Sequence, residues 1–270
     1  MKKRLYCMSM IALLSLVIAA CGEASVEPAP QSEPAQEDEP APLPTDTPQP
    51  TETPLPTSTH TPMPAGLIFH DSFNGELQAG WMWQNEVPQK WRFTDDGWLE
   101  ITAEDGGMLG DDSIQTNVLL REMPDASRFE IVSHLIADTT SNFQQAAIFF
   151  IEDSDNFLVI NRGHCTLCPT QGEGIYTDYQ YDGKNGSFKG VMTDADEVYL
   201  RIVFDRETSY LTAYYATEPD KWIQIRKIPI DLDYQMVGLG ATNLDNERNK
   251  DDDLVAKFDY FEIWDLDQKQ

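Results

Sequence analysis

The chain has 270 residues, 46 of them acidic and 19 basic, for a formal net charge of −27 at pH 7. Such an excess repels phosphate backbones and anionic headgroups, which excludes nucleic acid as a partner and leaves neutral ligands and cations open. The four cysteines, at positions 7, 21, 165 and 168, are too few for a disulfide framework.

The N-terminus reads MKKRLYCMSMIALLSLVIAAC, with Lys2, Lys3 and Arg4 ahead of an apolar run from Met8 to Ala20. That run is shorter than the ~20 apolar residues of a spanning helix and closes on small residues, so it reads as a secretory leader over residues 1–20. The stretch LVIAAC resembles the lipobox of bacterial lipoproteins. The resemblance implies cleavage before Cys21 and acylation of that residue, palmitate-type chains included. The product is then an extracytoplasmic lipoprotein, tied to the cell membrane or outer envelope through its N-terminal lipid. Plain secretion with cleavage nearby is the alternative.

From Cys21 to Ala65 the chain is built of Pro, Thr, Glu, Ser and Ala, with eight acids and no Lys or Arg. This composition does not offset the entropy of ordering, so a disordered, extended spacer is expected. At up to ~3.1 Å per residue it would hold a domain roughly 100 Å from a bilayer.

Residues 66–270 suit one domain. With the linker's eight acids and the leader's three bases set aside, 38 acidic and 16 basic residues remain there, a balance of −22. Segments such as RFEIVSHLIA, FQQAAIFFI, VYLRIVF, YLTAYYA and LVAKFDYFEIW are apolar or alternate over five to ten residues, between Gly, Asp, Asn and Pro clusters. In VYLRIVFD, Val198, Leu200, Ile202 and Phe204 share one face, opposite Arg201 and Asp205. Roughly a dozen strands and no sustained helical period predict an all-β, two-sheet sandwich.

The opening IFHDSFNGELQAGWMWQNEVPQKWRF carries Asp71, Phe73, Gly75, Trp81, Trp83 and Trp91. Further on come FQQAAIFFIEDSDNFLVINRG, the hairpin LTAYYATEPDKWIQI, and the closing VGLGATN and FDYFEIW. In order and spacing these segments resemble the concanavalin A-like domain at the C-terminus of bacterial β-xylosidases and its free-standing relatives. Glu218, Pro219 and Asp220 replace the Asp-Gly turn of that hairpin. The resemblance implies a jelly-roll sandwich of two curved antiparallel sheets, and no activity by itself. Sandwiches of this superfamily often carry calcium near their paired termini, and the resemblance makes Asp71 and Asp259 the carboxylates best placed for it; solvated carboxylates of an acidic domain are the alternative, and no cofactor is certain.

A retaining glycosidase needs two carboxyl groups ~5 to 5.5 Å apart. Glu152, Asp153 and Asp155 come nearest to such a set but fall in a turn, EDSDN, and no nucleophile-elbow, zinc-protease or phosphate-loop motif is present. Relatives of this fold bind carbohydrate on a sheet face or rim, where aromatic rings and fixed polar groups recognise sugars. Arg162, His164, Tyr176, Asp178 and Tyr179 are the ligand-binding candidates, with Tyr176 and Asp178 on one strand face and Tyr179 on the other. Tyrosines that simply cover the sheet are the competing reading. Trp81, Trp83 and Trp91 suit packing at the core or rim better than a platform.

Cys165 and Cys168, with His164 beside them, fit half a zinc site, a redox dithiol or a covalent clasp. Zinc lacks a fourth ligand by spacing, and a redox dithiol lacks its helix, so a disulfide outside the cytoplasm is expected, stiffening a rim loop. The functional reading is a surface-anchored, non-catalytic module that binds glycan. A glycoside hydrolase or lyase with an unrecognised site, and an adhesion module for an envelope protein, remain as alternatives.

Overall fold

The computed structural model describes residues 64–103, 106, 115–244 and 253–269. The leader, Cys21 and the linker as far as residue 63 lie outside the described residues.

Sixteen strands occur among the described residues: β1 (Leu67–Asp71), β2 (Met82–Gln84), β3 (Trp91–Phe93), β4 (Leu99–Ala103), β5 (Val118–Glu122), β6 (Arg128–Ala137), β7 (Gln144–Asp153), β8 (Asn156–Cys165), β9 (Gly172–Tyr181), β10 (Lys184–Ser187), β11 (Val191–Met192), β12 (Glu197–Asp205), β13 (Tyr210–Ala216), β14 (Ile223–Pro229), β15 (Met236–Asn243) and β16 (Leu254–Asp265). A single 3₁₀ turn, Pro88–Lys90, is the one helical piece described. The first sheet runs β14-β13-β12-β6-β16-β4-β3, with β1 also on β16. The second runs β10-β9-β8-β7-β15-β5-β2, with β11 on β9. Every pairing is antiparallel, so the predicted all-β sandwich is what forms.

Strand alternation builds the core between the sheets. Val198, Leu200, Ile202 and Phe204 of β12 are all buried in it, as the sequence pattern requires, together with Ile148 and Phe150 of β7 and Leu158 and Ile160 of β8. The other face of the second sheet carries a smaller apolar cluster, including Val118, Phe149, Phe157 and Val159.

The tryptophan-rich opening is a packing device. Asp71 accepts hydrogen bonds from the Phe73 amide at 2.8 Å, the Gln78 amide at 2.9 Å and the Trp81 indole at 2.8 Å. These contacts fold the chain back at Phe73, which sits in the left-handed region at φ 52° with its ring fully buried. Trp81 then meets Phe69 and Phe261 edge-on, at 5.5 and 5.1 Å. Trp83 and Trp91, 4.8 Å apart, join an edge strand of one sheet to an edge strand of the other. All three tryptophans pack against the core.

Candidate functional site

Strands β8 and β9 pair from Phe157↔Gln180 to Cys165↔Gly172 and carry all five ligand-binding candidates. Their strand parity decides what each does. Arg162 alternates with Leu158 and Ile160 and so points to the core side, where it is fully buried. A guanidinium has five N–H donors. Nε donates to Ala195 O at 2.8 Å, Nη1 to Thr139 Oγ1 at 2.7 Å and Gly163 O at 3.1 Å, and Nη2 to Glu173 at 2.8 Å and Asp196 at 3.2 Å. No donor is left for a ligand, so the structure corrects the expectation for Arg162: it ties the loop before β12 to β8 and β9. His164 lies on the same side, 3.3 Å from Thr139 O.

Tyr176 faces outward with Asp178, as predicted, yet it is only 1% exposed. Its ring lies against Gly190, where a Cβ would come within 2.7 Å of it, and its hydroxyl donates to Gly172 O at 2.6 Å. Tyr176 is therefore packing, and the expectation that it contacts ligand is corrected with that of Arg162. Tyr179 lies on the opposite side, as predicted, packed against the core and 4.9 Å from Phe188.

Of the five, Asp178 is the one that lines a cavity among the described residues. It sits at the floor of a groove of about 330 Å³ on the outer face of the second sheet. Gln145 and Asn161 both donate to Oδ2, at 2.8 and 2.9 Å, and Thr242 donates to Gln145 Oε1 at 3.3 Å. Ser187 stands opposite Asp178 in the β9–β10 register. Burial pushes the Asp178 carboxyl above its ordinary value, against the hydrogen bonds from Ser187, Asn161 and Gln145.

The groove walls are apolar. Phe143, Leu167, Pro169 and Leu244 line it, with Asn185 on the β10 side. Cys165 and Cys168 are joined as a disulfide, which fixes the loop that carries Leu167. Leu167 is 72% exposed and turns its apolar side chain to the groove. Phe143 sits at φ 62°, a conformation that costs energy for an aromatic residue and marks a position held in place by its surroundings. Sequence reasoning found Asp178 and the clasp but missed Phe143, Leu167, Asn185 and Ser187. Leu167 had a legible signal, as a large apolar residue between two clasp cysteines. Ser187 had none, because only the strand register sets it against Asp178.

The two calcium candidates serve separate networks. Asp71 is buried with its three N–H donors, and its charge opposes the burial that pulls Arg121 down to about 10. Asp259 instead accepts from His134 at 2.9 Å, and the other nitrogen of His134 meets Glu197 at 2.9 Å. The structure does not bring Asp71 and Asp259 together, and no group of three or more His, Cys, Asp or Glu suited to a metal occurs among the described residues.

The sequence profile of the β-xylosidase C-terminal concanavalin A-like domain matches residues 70–263. No curated protein matches the sequence. Among solved structures the chain is similar to the GH43 protein BlXynB of Bacillus licheniformis, at 17% identity and a TM-score of 0.62, over 73% of this chain and 39% of that one. It is similar to a xylan β-1,4-xylosidase of Bacillus halodurans at 15% identity and a TM-score of 0.59, over 78% and 41%. A glycosyl hydrolase family protein of Mycobacterium fortuitum is matched over 99% of its length and 73% of this chain, at 11% identity and a TM-score of 0.50. At these identities the likeness establishes the fold, and the chain spans about two-fifths of the length of the two Bacillus proteins.

Proposed function

We propose, since the chain belongs to the family of β-xylosidase C-terminal concanavalin A-like domains, that it is a glycan-binding module displayed at a membrane surface. The observation that carries this reading is the groove, where a buried carboxylate faces about 330 Å³ of space between apolar walls. A carboxylate held there by two amides is oriented to accept hydrogen bonds from sugar hydroxyls, while Leu167, Phe143 and Leu244 offer apolar surface to the C–H faces of the ring. Among the described lining residues Asp178 is the sole carboxylate. Glycosidic hydrolysis takes a pair, so the arrangement favours recognition over turnover.

One relative is named a xylan β-1,4-xylosidase, which makes xylohexaose the first ligand to test within a panel of neutral oligosaccharides. The full-length protein in detergent should bind a member of the panel saturably in calorimetric titration, without release of reducing ends. Leu167→Ala should weaken binding at the groove about fivefold, the loss of roughly 1 kcal/mol of apolar contact, and leave the melting temperature unchanged. Absence of saturable binding to every sugar, or steady release of reducing ends, would sink the reading.

The display half rests on LVIAAC and the 45 residues from Cys21 to Ala65. Two or three acyl chains on Cys21, at ~0.8 kcal/mol per buried methylene, anchor a protein stably. Wild-type protein expressed in a bacterium should sediment with membranes and take up labelled fatty acid. Cys21→Ser should lose both properties, and equal labelling of the two proteins would refute the anchor.

A further inference from the structure

We propose a second ligand site on the outer face of the first sheet, one that takes the neutral pyranose rings of a glycan chain. The site lies on the sheet opposite the groove and shares none of its residues. It shares with the glycan-binding reading only the class of ligand.

Three strands set out the floor. In the β6–β16 and β6–β12 registers, Val132 lies between Glu262 and Arg201, Glu130 lies beside Trp264, and His134 lies between Tyr260 and Tyr199. An aliphatic side chain thus forms the centre of a floor flanked by aromatic rings. The β13–β14 turn brings Pro219, Asp220 and Trp222 over one side, and Lys269 closes another, around a cleft of about 350 Å³. Four aromatic side chains, Tyr199, Trp222, Tyr260 and Trp264, line this one cleft, and none is fully buried. Flat rings around a small apolar floor are what the C–H faces of a pyranose chain pack against.

The rings are held in place by charge. Arg201 lies 5.3 Å from the Tyr214 centroid and 5.7 Å from that of Trp222, and Lys269 Nζ lies 4.5 Å from that of Trp264. Both cations also donate to the buried Glu130, Arg201 Nε at 2.6 Å to one oxygen and Lys269 to the other. Glu262 accepts from the Trp264 indole at 2.8 Å and meets His70 at 3.0 Å. His134 stacks on Tyr199 at 4.1 Å with 5° between the planes. The aromatic walls are therefore braced before any ligand arrives, which lowers the ordering cost of binding.

Charge also selects the ligand. Two cations and three carboxylates line the cleft, and both cations are already committed to Glu130. With three carboxylates against two cations the lining carries no excess of positive charge to attract a uronate, and the acidic chain as a whole repels one. Glu262 and Asp220 can still accept from hydroxyls. Burial raises Tyr260 above its ordinary value, so its phenol stays a neutral donor. A neutral chain fits this set and an acidic one does not.

The test titrates full-length protein in detergent with xylohexaose, cellohexaose and a galacturonic acid hexamer, by calorimetry and tryptophan fluorescence, beside thermal melts. Trp222→Ala is the primary variant because Trp222 lies in the turn before β14, outside the strands. It should weaken neutral hexamer binding about tenfold, in the fraction that Leu167→Ala leaves intact, with an unchanged melt. Trp264→Phe keeps a ring and should lose less. A loss in Trp222→Ala with a silent Leu167→Ala would uphold this cleft and remove the groove. Wild-type affinity in both tryptophan variants would overturn the cleft and leave the groove standing. Galacturonate binding as tightly as the neutral hexamers would overturn the neutral class, and no binding of either neutral hexamer to wild-type protein would overturn the site.

Discussion

Arg162 and Asp178 stand on neighbouring strands, both almost wholly buried, and they face opposite sides of the second sheet. On the core side Arg162 meets five acceptors with five donors. On the outer side Asp178 takes the two amide donors on one oxygen, has the Ser187 hydroxyl as a third donor, and still opens on a groove. The contrast separates two uses of a buried charge. A charge whose valence is filled by its own chain is an architectural tie, whereas one that faces space with capacity left can serve a ligand. Burial does not tell the two apart, and the count of partners does.

The sharpest way to break that distinction is to remove the tie. Arg162→Ala deletes all five hydrogen bonds and leaves a hole at the end of the core. Breaking a buried ion pair by removing one partner costs about 3–5 kcal/mol. The side chains of Glu173 and Asp196 are 37% and 47% exposed, so solvent screens part of their loss and the lower end of that range applies. At ~2–4 °C per kcal/mol for a domain of this size, the melting temperature should fall by about 10 °C. Arg162→Lys restores the charge but offers three donors without the planar fork, so it should recover only part of the loss. A melt within a degree or two of wild type in Arg162→Ala would mean that the five contacts do not hold the loop, and that the residue is free for another role.

The same contrast explains what the sequence could and could not disclose. Long strands such as β12 were legible because their alternation repeats over nine residues. Strands β2, β3, β10 and β11, of two to four residues, carry no period, which is why a dozen strands were expected and sixteen are found. Parity placed Tyr176 and Asp178 together and Tyr179 apart, correctly. It could not show that Gly190, fourteen residues on, leaves room for the Tyr176 ring to lie down on the backbone. Nor could it show that Ala195 and Asp196 reach back to fill the valence of Arg162. The aromatic residues of the cleft are present in the sequence, with Trp222 in the hairpin LTAYYATEPDKWIQI and Tyr260 and Trp264 in the last strand. Its existence depends on β6 lying between β12 and β16, a pairing across the chain that local patterns do not encode.

A subtler test concerns Asp178 itself and works through protons. Burial raises its folded-state pKa above the ordinary 3.8, and hydrogen bonds from Ser187, Asn161 and Gln145 only partly oppose the shift. In the unfolded chain the carboxyl titrates near its ordinary value. Between the two values the folded state holds a proton that the unfolded state has released, so stability falls as pH rises through that window. The contribution is fully present below 3.8 and is lost once pH passes the folded pKa. Asp178→Asn keeps the shape but cannot titrate, so the difference in melting temperature between wild type and variant should move in favour of wild type as the pH is lowered toward 4. The change should be smaller than the Arg162 loss, because no contact is deleted. A sugar whose hydroxyls donate to the ionised carboxylate should oppose the shift, so a saturating neutral oligosaccharide should flatten this pH dependence. A difference that stays constant with pH would place Asp178 in an environment as polar as water, and the groove would lose the buried acceptor on which its recognition of hydroxyls depends.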